Sequence, residues 1–159
     1  MSDRFEKAYN KLREKYKQLP DFKKIDSDFE FSSIKDEDIN ERFLSRIIKR
    51  RIYDRIHYFN GGLLGVISPQ APSIIIAHEN KFLTNKDREE AMSVVRVLMH
   101  VEREYLISET KPDEKRDVNL IMASINVWNG SQPVVERILT IMRDSWGKKE
   151  DFKIEDYFG

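Results

Sequence analysis

Ile39, Phe43, Leu44, Ile47, Ile48, Ile52, Ile56 and Phe59 recur at steps of three and four, a period that gathers them on one face only if the chain is an α-helix. The spacing predicts a long amphipathic helix that stops at Asn60-Gly61-Gly62, where two glycines follow a polar residue. The same period appears earlier. Phe5, Ala8, Tyr9, Leu12 and Tyr16 form one stripe from Ser2 to about Gln18, and Pro20 closes it. A third helix opens at Thr84, whose hydroxyl can cap the amide of Asp87 while that carboxylate reaches back. Ala91, Val94, Val95, Leu98, Met99, Glu102, Tyr105 and Leu106 carry this helix to about Ser108.

Beyond Lys111-Pro112-Asp113, residues Val118, Ile121, Ile125 and Trp128 predict a fourth helix ended by Asn129-Gly130. Ser131 and Pro133 then start a fifth, with Val134, Val135, Ile138, Leu139, Met142 and Trp146 facing inward. Two stretches lack a clean period. Residues 21 to 35 read as a packed connector, and Ile74-Ile75-Ile76 as either a short strand or a helical turn. The turn is preferred because no partner strand is visible elsewhere. The expected fold is all-α: a five- to six-helix bundle over residues 1–146, followed by a flexible C-terminal tail, 147–159, that is a candidate partner-binding peptide.

Composition narrows the chemistry. The chain has 28 basic and 28 acidic side chains, with 35% of residues charged and no cysteine. Disulfides, thiol nucleophiles and thiolate metal sites are thereby removed, and a generic attraction to polyanions is not expected. Many Lys, Arg and Glu residues without Cys fit an intracellular protein of a thermophile. No apolar run approaches the ~18 residues of a membrane span, and Met1-Ser-Asp-Arg-Phe-Glu-Lys lacks a signal-peptide core. A soluble, cytoplasmic protein is expected.

Reactive constellations are sparse. His57, His78 and His100 are isolated, and none makes a two-His metal pair with an acidic neighbour. Glu89 and Glu90 lie among Lys86, Arg88 and Arg96 at ion-pair spacing. Asn60-Gly61-Gly62 to Gly65 lacks the lysine and hydroxyl of a phosphate-cradling loop. An enzyme built on His78, Glu79 and His100 is the weakest reading, so the expectation is a non-catalytic protein with no metal and no cofactor.

Basic charge, in contrast, is segregated. Arg42, Arg46, Lys49, Arg50, Arg51 and Arg55 sit on the second helix, with Arg42, Arg46, Lys49 and Arg50 on a face opposite the isoleucines and Arg51 and Arg55 continuing around the side. This stripe is a candidate contact for an acidic partner or for nucleic-acid backbone. Tyr53 and Tyr58 are the nearby aromatics able to stack on bases. A second candidate lies in the tail. Ile154 followed three residues later by Tyr157-Phe158 is the spacing of a short helical turn that plugs a pocket on another protein.

The tail resembles the motif by which replication and repair proteins hold the DNA sliding clamp, with Asp151 where that family has glutamine. The middle of the chain resembles the helical domain of the GINS family, small subunits that assemble with the MCM motor in the archaeal and eukaryotic replicative helicase. The resemblance is carried by Phe43-Leu-Ser-Arg-Ile-Ile-Lys-Arg-Arg-Ile-Tyr-Asp-Arg-Ile-His57 and by Glu79-Asn-Lys-Phe-Leu-Thr-Asn-Lys-Asp-Arg-Glu-Glu90, and with the leading helix it spans about residues 5 to 107. That family adds a small β-rich module, whereas residues 113 to 146 here read as helices. The resemblance implies a DNA replication accessory subunit acting as a replisome scaffold, in hetero-oligomers with helicase, primase or sliding clamp. Two alternatives accompany it: an accessory subunit of an archaeal primase, and a nucleic-acid-binding regulator that uses the basic helix 42–55.

Overall fold

A computed structural model describes residues 3–67 and 73–148. They form six α-helices and no strand: α1 (Asp3–Lys15), α2 (Phe22–Phe29), α3 (Leu44–Ile67), α4 (Ile74–Asn80), α5 (Asn85–Thr110) and α6 (Glu114–Ser145), with three short 3₁₀ turns between α2 and α3. The all-α expectation is met. Two compact units divide the chain, Met1–His57 with His100–Val127 and Tyr58–Met99 with Trp128–Gly159.

The connector expected at residues 21 to 35 contains α2. Asp21 caps it by accepting from the Lys23 amide at 3.0 Å, and Phe22, Ile25 and Phe29 give it a buried face. That face completes the aromatic centre of the first unit. Phe5 packs against Phe22 at 6.1 Å and stacks on Phe31 at 5.5 Å, while Tyr9 meets Phe22 at 5.6 Å. Burial pushes the Tyr9 phenol well above its ordinary range, and its hydroxyl donates to the Pro20 carbonyl at 2.9 Å. The chain leaves α2 through Glu30, a left-handed residue at φ 54°, whose carboxylate faces Arg51 and Arg55 of α3.

The glycines at 61 and 62 do not end α3. The helix continues to Ile67 because Leu63 and Val66, each 1% exposed, extend the buried row of Ile52 and Ile56. Burying two such side chains is worth ~3 to 6 kcal/mol, against about 1 kcal/mol for each helical glycine. The expected fourth and fifth helices are likewise one. Ile121, Ile125, Trp128, Ser131, Val135 and Ile138 are all buried at helical spacing, so α6 runs through Asn129-Gly130, and Pro133 lies inside it. Ser131 is a core-facing residue, not a cap. Pro133 is exposed, where the Asn129 carbonyl it leaves without an amide partner can turn to water.

In the second unit, Ser73 caps α4 through the Ile76 amide at 3.3 Å, so Ile74-Ile75-Ile76 is helical, as preferred from the sequence. Thr84 and Asp87 form the expected reciprocal cap: the Thr84 amide donates to Asp87 Oδ2 at 2.8 Å and the Asp87 amide to Thr84 Oγ1 at 3.2 Å. Hydrogen bonds from the Thr84 hydroxyl, the Arg137 guanidinium and the Thr84 amide hold the Asp87 carboxyl down at about 2. Arg137 also reaches Glu90 at 2.5 Å, tying the start of α5 to α6. Near the end of α6, Trp146 Nε1 donates to Glu79 Oε1 at 2.9 Å, with its ring 4.6 Å from that of His78.

Candidate interaction surface

The basic stripe starts at Arg42 in the 3₁₀ turn before α3, runs into α3, and separates into three groups. Arg42 and Arg50 are exposed and Arg46 is half-buried, and no carboxylate among the described residues lies within salt-bridge distance of these three. Arg51 is tied down: it donates to the Phe29 carbonyl at 2.9 Å and the Ser33 hydroxyl at 3.0 Å, and it lies 3.7 Å from Glu30. Arg55 lies 4.0 Å from the same Glu30 carboxylate. Both serve the α2–α3 junction.

Lys49 corrects the expectation of a continuous surface stripe, because it is 3% exposed. Its ammonium donates to Ser108 Oγ and Asp117 Oδ1 at 2.7 Å each and meets Glu109 at 2.6 Å. Three protons thus find three acceptors. Ser108 passes its own proton to the Tyr105 carbonyl at 2.6 Å, and the ammonium sits 5.2 Å from the Tyr105 ring centre. A lysine beside a serine invites comparison with nucleophilic pairs. Here the lysine is saturated by acidic partners and Ser108 has 0% exposure, so this cluster is a structural core. The reason is angular: Ile56, seven residues on, falls roughly 20° from Lys49 on a helical wheel, within the buried row.

The aromatic that sequence reading placed in the apolar stripe lies elsewhere. Phe43 belongs to the 3₁₀ turn before α3, with Asn40 capping that turn through the Arg42 amide at 3.1 Å. Phe43 is therefore 41% exposed. Two guanidiniums sit over its ring, Arg42 at 5.5 Å and Arg46 at 5.3 Å from the centre. Beside them opens a cleft of about 160 Å³ lined by Arg42, Phe43, Ser45, Arg46 and the α5–α6 turn with Pro112. The acids that share the cleft are engaged: Asp117 by Lys49, Glu114 by Lys15 and Tyr16, and Asp113 as the α6 cap for the Arg116 amide at 2.7 Å. Hydrogen bonds from Lys15 and Tyr16 hold the Glu114 carboxyl below its usual range. Arg42, Arg46 and Phe43 give one side of the cleft a cationic, aromatic edge, facing the three engaged carboxylates on the other. The signal that sequence reading passed over was the arginine on each side of Phe43, one residue before it and three after.

Of the proposed stacking aromatics, Tyr53 is half-buried, 4.0 Å from Tyr105 and 5.5 Å from His57, near-parallel to both. Tyr58 belongs to the second unit and is 75% exposed. His57 Nδ1 lies 3.1 Å from the buried Glu102 carboxylate. His78 and Glu79 are in the second unit and His100 in the first. Among the described residues, no group of three or more metal-ligating side chains could hold an ion, and no helix is long and apolar enough to cross a membrane. Ile154, Tyr157 and Phe158 lie outside the described residues. No family model, curated protein or solved structure matches the chain.

Proposed function

We propose that this chain is a non-catalytic accessory subunit of DNA replication, a GINS-like, helicase-associated scaffold that works by protein–protein contact. The observation that carries the scaffold reading is Phe43, an exposed aromatic beneath two arginines that have no acidic partner among the described residues. Aromatic and arginine side chains dominate the energetic centres of protein interfaces. The α5 residues Leu106 and Ile107, 46% and 48% exposed, add apolar surface to the same unit. Replication as the setting rests on the resemblance of Phe43–His57 and Glu79–Glu90 to GINS helices. On this reading the protein acts in the cytoplasm of a thermophilic archaeon, in hetero-oligomers with helicase, primase or sliding clamp.

Within that scaffold, Ile154, Tyr157 and Phe158 anchor the tail in a partner pocket, and Arg42, Arg46 and Arg50 meet acidic partner surfaces. Affinity capture from the native organism tests the assignment. Helicase, primase or clamp subunits among the co-purifying proteins support it, and their absence overturns it. Deleting residues 148 to 159 is expected to weaken clamp binding while leaving the far-ultraviolet helical signal of the body intact. Unchanged clamp affinity would remove the tail from the proposal.

A further inference from the structure

The cleft beside Phe43 has a volume of about 160 Å³, below the ~300 to 1,000 Å³ of pockets that hold cofactors or small substrates. It has room for about one large side chain. Its rim offers two guanidiniums, each over the Phe43 ring and without a carboxylate partner among the described residues, while the lining acids Asp113, Glu114 and Asp117 are engaged elsewhere. The chemistry that fits is a peptide in which carboxylates adjoin aromatics: guanidinium with carboxylate in charge-assisted hydrogen bonds, ring against ring, and one side chain inserted.

The chain contains such a peptide. Residues 150–158 read Glu-Asp-Phe-Lys-Ile-Glu-Asp-Tyr-Phe, four carboxylates against one lysine, and they end with two acids directly followed by two aromatics. A chain whose charges balance overall thus carries a cationic aromatic patch at the head of α3 and an acidic aromatic segment far from it in sequence. We infer that the segment Glu150–Phe158 of one copy docks on the Arg42–Phe43–Arg46 surface of a second copy, with Glu155 and Asp156 paired to the arginines and Tyr157 or Phe158 in the cleft. When each copy offers both halves, reciprocal exchange closes a two-fold dimer in which the contact is made twice. The inference stands apart from the replication reading. Where both hold, self-docking withholds Tyr157 and Phe158 from other partners until one displaces them.

The test uses full-length protein. A fluorescent peptide of residues 149–159 is titrated into a chain carrying E155K and D156K, whose own tail no longer competes, with anisotropy as the readout. Saturable binding is expected. It should weaken about tenfold or more when R42E and R46E are added and fall as salt rises. A peptide with lysine at positions 155 and 156 should in turn bind a chain that carries R42E and R46E with its native acidic tail, which separates charge pairing from misfolding. Sedimentation of the wild-type chain should show concentration-dependent dimers that the E155K, D156K chain lacks. No peptide binding, binding indifferent to R42E and R46E, or no recovery in the swapped pair would each overturn the inference. Peptide binding by a wild-type chain that stays monomeric would overturn the second-copy assignment.

Discussion

Lys49 and Asp117 show how much a single residue's setting departs from its type. A lysine among arginines on a charged helix reads as solvated surface, yet this one is buried against Asp117, which is 1% exposed. Lys49→Ala strands that carboxylate in the core and is expected to cost ~3 to 5 kcal/mol, read as a lower denaturant midpoint. Replacing Lys49 by Met and Asp117 by Leu together should recover most of the loss, because no charge is left alone in the core and Glu109, 47% exposed, can turn to solvent. Asp87 makes a prediction in pH. Its folded carboxyl sits at about 2 against an ordinary 3.8, so the unfolded chain takes up the proton first. The contribution of Asp87 is complete above the unfolded value and disappears as pH falls from 3.8 through 2. Urea unfolding of Asp87→Asn across that window should show a shallower loss of stability than wild type. The Thr84–Asp87 cap was legible in the sequence, but its third partner, Arg137, lies 50 residues away and carries no local signal.

At the scale of elements, glycine and proline proved weaker punctuation than buried rows. Gly61, Gly62 and Gly130 lie inside helices with open space where a Cβ would stand. Alanine at each is expected to raise stability by about 0.5 to 1 kcal/mol, measured as an increase in Tm. Gly65 differs, since a Cβ there would come within 2.9 Å of Ile76 Cδ1. Gly65→Ala should gain less than Gly62→Ala because the Ile76 side chain must first shift. The helices starting at Thr84 and ending before Pro20 could be located from periodicity and caps alone. The lengths of α3 and α6 could not. They depend on whether Leu63, Val66, Trp128 and Val135 find neighbours, which a local pattern does not report.

For the molecule as a whole, the burial of Lys49 and the tethering of Arg51 and Arg55 bear on nucleic-acid affinity. Six cations on one helix would give a counterion-release slope of about −5 in log K against log salt, whereas three outward arginines limit it to about −3. Any binding of the isolated chain to duplex DNA should therefore show the shallower slope and vanish near physiological salt. A slope near −5 would favour the regulator reading and require other surfaces to contribute. The division into two units was not legible in the sequence, because its boundaries fall inside α3, α5 and α6, after His57, Met99 and Val127, and the glycines near two of them, Gly61-Gly62 and Gly130, lie within unbroken helix.

Helical class and the capped start of α5 follow from residue types and their spacing, because propensity and hydrogen-bond capping act over a few residues. Which arginines face outward, where the long helices stop and that Phe43 stands exposed beneath two guanidiniums were decided only by tertiary structure. Burial is a property of what arrives from distant sequence. Helical phase turns Lys49 inward onto Asp117, and Glu30 holds Arg51, leaving Arg42, Arg46 and Arg50 without a carboxylate in reach among the described residues.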